Sequence, residues 1–131
     1  MIDKEADIFD AVYPYVAPLC AKNRFVSKRL TGGSAFPAAS LIEMDNAVVR
    51  RKQTSTPGEN FARITYELEA YAMTKAECRK VKNAADEILV KLNFSRISGH
   101  FIDNPDNVNL FRYVARYEAM VDEDGQIYRT P

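Results

Sequence analysis

The side chains best suited to chemistry in this sequence are one histidine and two aspartates in a short polar stretch. His100 is the only histidine of the chain, and Asp103 and Asp106 follow it closely. An imidazole and two carboxylates can bind a metal ion or exchange protons with a substrate. Residues 103–107 nevertheless have the composition of a polar turn, in which aspartates accept hydrogen bonds from the backbone. We therefore predict a turn with an exposed imidazole rather than a catalytic cluster.

Other motifs of catalysis or cofactor binding are missing from the sequence. Ser34 follows Gly32 and Gly33 but lacks the GxSxG context of a nucleophilic serine, and neither GxxxxGK nor GxGxxG occurs. Cys20 and Cys78 have no CxxC spacing, so we predict two buried structural thiols. The sequence predicts no catalytic residue, no cofactor and no metal site, and hence a protein that is not an enzyme.

Length and charge set the broad class. A chain of 131 residues fits one domain, predicted to span 1–131. Its 18 basic and 18 acidic residues cancel, which is unlike the basic footprint of a dedicated nucleic-acid-binding protein. No apolar run is long enough to span a membrane, and the acidic start with Asp3, Glu5 and Asp7 is unlike a signal peptide. We therefore predict a cytoplasmic protein without a membrane partner.

The central unit of the predicted fold is a strand followed directly by a helix. In the strand Phe61–Ala72, apolar residues alternate with polar ones, which is typical of a half-buried strand. Thr74 and Glu77 form a capping box for a helix that Asn93 can terminate. The strand and helix stripes must bury each other. The predicted core comprises Ile64, Tyr66, Leu68, Val81, Ile88, Leu89 and Leu92.

Further elements complete a predicted order of α-β-β-β-α-β-β-β. A first helix precedes strands at 24–30 and 39–49, and strands at 94–102, 110–121 and 127–129 follow the second helix. Strict alternation in 39–49 places Met44 and Asn46 on one face and Glu43 on the other. The order predicts an α+β fold in which two helices pack on a mixed or antiparallel sheet.

Charged residues on the sheet face away from the helices are candidate contacts with a second subunit or with the lumen of a ring. An ordinary solvated face is the alternative for the same pattern. The candidates on these strands are Arg63, Glu67, Glu69, Arg112, Arg116 and Glu118.

A second candidate contact is the basic triplet Arg50, Arg51 and Lys52. It opens the segment 50–60, which contains no apolar residue and is too long for a tight hairpin loop. Because such a segment has nothing to bury against its own domain, we predict that it becomes ordered on a partner. A solvated loop without a binding role is the alternative.

Three segments of the sequence resemble one known family. They are 71–78 (YAMTKAEC), 94–97 (FSRI) and 109–117 (NLFRYVARY). Over residues 60–130 the chain resembles small bacteriophage tail terminator, or tail-to-head joining, proteins. The resemblance implies a curved sheet with two helices and a hexameric ring that caps the head-proximal end of the tail tube. It also implies the tail tube protein and the head connector or stopper as partners, DNA only as passing cargo, and a place in the virion neck after assembly in the host cytoplasm.

Three alternatives stay open. A head-completion or stopper protein would occupy the other side of the same joint. A small RNA-binding α+β module would use Arg112 and Arg116 with nearby aromatics, although the required string of basic, glycine and aromatic residues is missing. A small hydrolase would need the cluster around His100.

Overall fold

The computed structural model describes residues 1–30, 33, 35–49, 61–103 and 109–130. The helices and strands occur along the chain in the predicted order and form two helices and a curled sheet. The predicted α+β fold class is therefore confirmed. Two short 3-10 turns, at Ala17–Leu19 and Ala21–Asn23, join the first helix to the first strand. The helices and strands are α1 (Glu5–Val16), β1 (Phe25–Val26), β2 (Ala38–Val48), β3 (Phe61–Ala72), α2 (Lys75–Lys91), β4 (Ser95–Ile102), β5 (Phe111–Asp122) and β6 (Ile127–Tyr128).

The sheet is mixed, with β3 and β5 at its centre. The strand order is β1-β2-β3-β5-β4, and β6 pairs with the end of β5 beyond β4. β1 runs parallel to β2, whereas every other pairing is antiparallel. We call the sheet face that carries α1 and α2 the inner face and the opposite face the outer face.

The core lies between the inner face and the two helices. Two of the predicted core residues, Ile88 and Leu92, are only partly buried at its margin. The other predicted core residues are all buried: Ile64, Tyr66, Leu68, Val81 and Leu89.

Neither helix of the described chain is long and apolar enough to cross a bilayer.

Thr74 caps the start of α2 and Asn93 follows its end, as predicted, but the second bond of the predicted capping box, from the Thr74 N–H to the Glu77 carboxylate, is absent from the described residues. The Thr74 hydroxyl accepts a hydrogen bond from the backbone N–H of Glu77 at 3.2 Å, which satisfies one free donor of the first turn. At the other end Asn93 adopts the left-handed conformation with φ of 71°, and the N–H of Phe94 donates to the carbonyl of Leu89 at 3.0 Å. These two caps fix where the helix begins and ends.

A bulge in β2 interrupts the alternation that the sequence predicts for that strand. The register skips Met44, so that Glu43 lies opposite Tyr66 and Asn46 lies opposite Ile64. The extra residue reverses the alternation, and Glu43 and Asn46 therefore both lie on the inner face. The prediction that they lie on opposite faces is wrong for this reason.

The first strand is shorter than the predicted span of 24–30. Only Phe25 and Val26 pair with β2. Their partners are Ala39 and Ser40 at the start of that strand. Phe25 is buried and stacks on Phe9 of α1, with ring centroids 4.9 Å apart. The contact with Phe9 of α1 thus holds Phe25 in place, where the sequence predicts a longer strand.

Candidate interaction surface

The predicted charged residues of β3 and β5 come together on the outer face. Alternation along each strand turns their side chains away from the helices. Glu67 lies directly opposite Arg116, and Glu69 lies one diagonal step from Arg112. Cross-strand neighbours at these positions are within reach of long side chains. The antiparallel register therefore places opposite charges side by side.

Among the described residues, three ion pairs join β3 to β5 on this face. An Arg112 guanidinium nitrogen lies 2.9 Å from a Glu69 carboxylate oxygen, and Arg116 lies 3.3 Å from Glu67. Arg63 lies 3.2 Å from Glu118. We call the set Arg63, Glu67, Glu69, Arg112, Arg116 and Glu118 the outer charged face.

The two partners of each pair differ in exposure. Glu69 is 2% exposed and Glu67 is 7% exposed, whereas the side chains of Arg63 and Arg116 are 54% and 51% exposed. Buried carboxylates need a paired cation, and here the arginines cover them. A molecule that approaches this face therefore meets guanidinium groups. Glu67 and Glu69, predicted as contact residues, lie beneath the arginines and hold them in place.

Glu69 has three polar partners among the described residues of this face. The Tyr71 hydroxyl donates to its second carboxylate oxygen at 3.1 Å, and Arg29 lies 3.8 Å from the first. Burial raises the pKa of Tyr71, and the charge of Glu69 raises it further, so the phenol stays protonated and remains a donor. Arg112 also lies over the Tyr71 ring, 5.8 Å from its centroid. These contacts among Glu69, Arg29, Tyr71 and Arg112 hold the side chains at the end of the outer charged face that is nearer to β1.

Arg29 is a member of this group that sequence reasoning missed. It lies 40 positions from Glu69 and after the short strand β1, in a stretch that was predicted to be extended. No spacing rule links two residues so far apart in the chain. Only the parallel pairing of β1 with β2 brings the segment that follows it close to β3.

The remaining predicted site residues fall into two groups. Arg50, Arg51 and Lys52 lie outside the described residues. His100 is exposed on β4, opposite Val114. Asp103 is exposed, and Asp106 lies outside the described part of the chain.

Both cysteines are free and buried, as predicted. Burial raises the pKa of the Cys20 thiol and of the Cys78 thiol to about 11 each. The Cys78 thiol donates to the carbonyl of Ala70, and the Cys20 thiol donates to that of Val16. Both side chains therefore act as small apolar groups with a weak donor.

We expect both thiols to react very slowly with a thiol reagent such as dithionitrobenzoate at pH 8. The reactive species is the thiolate. Because each thiol has a pKa of about 11, only a small fraction is thiolate at pH 8, and burial keeps the reagent away from the sulfur. The absorbance at 412 nm should reach the value for two reacted thiols per chain only after denaturant is added. A fast reaction of one thiol in the native protein would show that its element opens readily.

Comparison with known proteins adds a fold relationship. No protein-family model matches the sequence, and no curated protein does. Among solved structures, the fold is similar to that of a chain from the virion of a native gene transfer agent particle. The two superpose with a TM-score of 0.63 at 14% sequence identity, over 88% of this chain and 94% of the other. At this identity the likeness shows a shared fold, the α+β arrangement described above, over most of both chains.

Proposed function

We propose that this protein is a non-enzymatic structural component of a phage-like virion, and that it acts as a tail terminator. Copies of the single domain 1–131 would form a ring, hexameric as the family resemblance implies, on the head-proximal end of a tail tube. The ring would stop tube growth and offer a docking surface to the head connector or stopper. It would be assembled in the host cytoplasm and act in the virion neck, with DNA only passing through.

The observation that carries this proposal is the fold likeness to a chain of a gene transfer agent virion. That likeness extends over nearly the full length of both chains, so it concerns the whole architecture and not one common motif. The three sequence segments that resemble tail terminators fall in β3, α2, β4 and β5 and the residues that join them. The sequence resemblance and the fold likeness both support a virion component.

The outer charged face supports a role in subunit contacts. Arginine is enriched in protein interfaces, and the side chains of Arg63 and Arg116 are half exposed on the outer face. Contacts made by such groups are sensitive to salt and depend on charge complementarity. A closed ring also requires two different patches on each subunit. The segment 50–60, whose contact role remains a prediction, is the second candidate patch.

Reversing the charge of Arg63 tests this role. Arg63→Glu removes a half-exposed ion pair whose contribution to folding is below about 1 kcal/mol, so the monomer should stay folded. We expect self-association to weaken by about tenfold or more, which corresponds to about 1.4 kcal/mol. Size-exclusion chromatography with light scattering would measure the mass, with and without purified tail tubes.

Lys80→Glu is the matched control, because it makes the same charge change at an exposed position of α2. It should leave both the ring mass and tube capping unchanged. Reversal of Arg112 or Arg116 is less informative, since each would place a second carboxylate beside a buried one. A strict monomer that ignores tail tubes but binds RNA at moderate salt would refute the proposal and favour the RNA-binding alternative.

A further inference from the structure

Basic side chains are concentrated at the end of the sheet that β4 forms. Lys75, Arg79 and Lys82 are spaced by four and three positions in α2, so they share one side of the helix. The Lys75 ammonium lies 4.8 Å from the centroid of the Phe101 ring on β4, and the Arg79 guanidinium carbon lies 6.0 Å from it. The Lys82 ammonium lies 4.7 Å from the centroid of the Tyr113 ring on β5. All three cations therefore lie over this edge of the sheet, and we call Lys75, Arg79 and Lys82 the basic end.

Acidic side chains are concentrated at the opposite end of the sheet, where α1 packs beside β2. Carboxylate oxygens of Asp3, Glu5 and Glu43 all lie within 4.8 Å of one another. Asp10 of α1 lines a cleft of about 360 Å³ together with Asp3 and Glu5. We call Asp3, Glu5, Asp10 and Glu43 the acidic end. A chain whose formal net charge is zero thus carries opposite charges at the two ends of its sheet.

Neither end balances its charge inside its own subunit. No side chain of the two ends forms an ion pair with another described residue, and Asp86, which also lies on the basic side of α2, pairs with Arg96 at 3.0 Å. From β2 to β4 the sheet spans three strand spacings, about 14 Å. Exposed charges attract each other only weakly beyond about 8 Å at physiological ionic strength. The basic end therefore cannot neutralise the acidic end of the same chain.

Each end also has an open strand edge with exposed apolar side chains. Among the described strands, β4 is the last one at the basic end, and β1 covers only the start of β2 at the acidic end. Ile97 on β4 is exposed, and so are Met44 and Val48 on β2. Interfaces commonly combine apolar contacts with a rim of complementary charges. Both ends therefore have the composition of a docking surface.

We propose that the basic end of one copy of this chain docks on the acidic end of the next copy. Opposite charges favour this pairing, whereas two basic ends or two acidic ends repel each other. The contact is therefore heterologous, because each copy contributes two different patches, and further copies can add until a ring closes. A nucleic acid would match the basic end alone and would leave the acidic end without a partner. The inference rests on the proposed ring and names the two patches through which neighbouring copies meet.

Charge reversal at each end, followed by mixing of the two variants, tests the inference. The basic-end variant carries Lys75→Glu and Arg79→Glu. The acidic-end variant carries Glu5→Lys and Asp10→Lys. Size-exclusion chromatography with light scattering at low ionic strength would measure the mass of each full-length variant. We expect each variant alone to self-associate at least about tenfold more weakly than the unmodified chain. An equimolar mixture should assemble again, because the intact acidic end of the first variant meets the intact basic end of the second.

Lys80→Glu with Lys91→Glu is the control, because it makes the same charge change at exposed positions of α2 that lie outside the basic end. It should self-associate as tightly as the unmodified chain. Equal weakening by the control would mean that net charge governs association, which would refute the inference. Retention of the unmodified mass by either reversal variant, or a mixture that stays monomeric, would also refute it. So would an unmodified chain that is still monomeric at about 1 mM.

Tube capping separates this inference from the proposed function. A mixture that assembles, together with an unmodified chain that does not cap tail tubes, would refute the tail terminator role and leave the contact between the two ends intact. Capping by the unmodified chain and by both reversal variants alike would refute the contact and leave the tail terminator role intact. All substituted positions are exposed or partly exposed, so the variants should fold, and circular dichroism would check this. Lys75→Gln with Arg79→Gln gives a second, milder test of the basic end.

Discussion

Replacement of Leu89 by alanine is expected to lower the free energy of unfolding by about 2–5 kcal/mol. Leu89 is fully buried on the face of α2 that packs on β3, and its carbonyl accepts the hydrogen bond from Phe94 that ends the helix. Removing three carbon atoms leaves a cavity that the neighbouring strands cannot close without disturbing the sheet. Urea denaturation followed by circular dichroism would measure the change in the midpoint at constant slope.

Val90→Ala serves as the matched control for this experiment. Val90 is the next residue of α2 and is 38% exposed, so its truncation removes little buried surface. Alanine also has the higher helix propensity, and we expect a change within about 0.5 kcal/mol. A loss below about half a kcal/mol for Leu89→Ala would mean that this side of α2 does not face the core.

Removal of the Arg112 guanidinium is expected to destabilise the protein by about 3 kcal/mol. Arg112→Met keeps most of the apolar stem but leaves the carboxylate of Glu69, which is 2% exposed, without its closest cation. Arg29 lies at 3.8 Å and is mostly exposed, so it compensates only in part. Thermal and urea denaturation would both report the loss.

A double variant separates the charge effect from lost packing. Arg112→Met with Glu69→Gln removes both charges and keeps an acceptor for the Tyr71 hydroxyl. We expect it to regain most of the stability lost by Arg112→Met alone, because no unpaired charge remains buried. Arg63→Met, at the half-exposed pair with Glu118, should cost less than about 1 kcal/mol. Equal losses for Arg112→Met and the double variant would show that the guanidinium stabilises the face through its other contacts, such as the Tyr71 ring, and not through its charge pairing with Glu69.

The element order and the central unit were predictable from sequence because their signals are local. The alternation of Phe61–Ala72 and the capping residues Thr74 and Asn93 each act within a few positions of the chain. The outer position of Arg112 and Arg116 followed from the same alternation. Local periodicity thus determined which residues share a face.

Features that depend on one strand meeting another were not predictable. The bulge at Met44 adds one residue with no change in composition, yet it reverses the faces of the rest of β2. The contact of Arg29 with Glu69 and the convergence of Asp3 and Glu5 with Glu43 join residues far apart in sequence. These sites arise from the packing of elements and leave no periodic signal.

The burial of Glu67 and Glu69 has a consequence for the entropy of any association at the outer charged face. A free arginine on a surface loses about 0.5–1.5 kcal/mol of rotamer freedom when a partner immobilises it. Arg116 is already held by the buried Glu67 from its own sheet, and Arg112 by Glu69, so part of that freedom is lost during folding. The face is therefore preorganised: folding sets the positions of these guanidinium groups before a partner arrives.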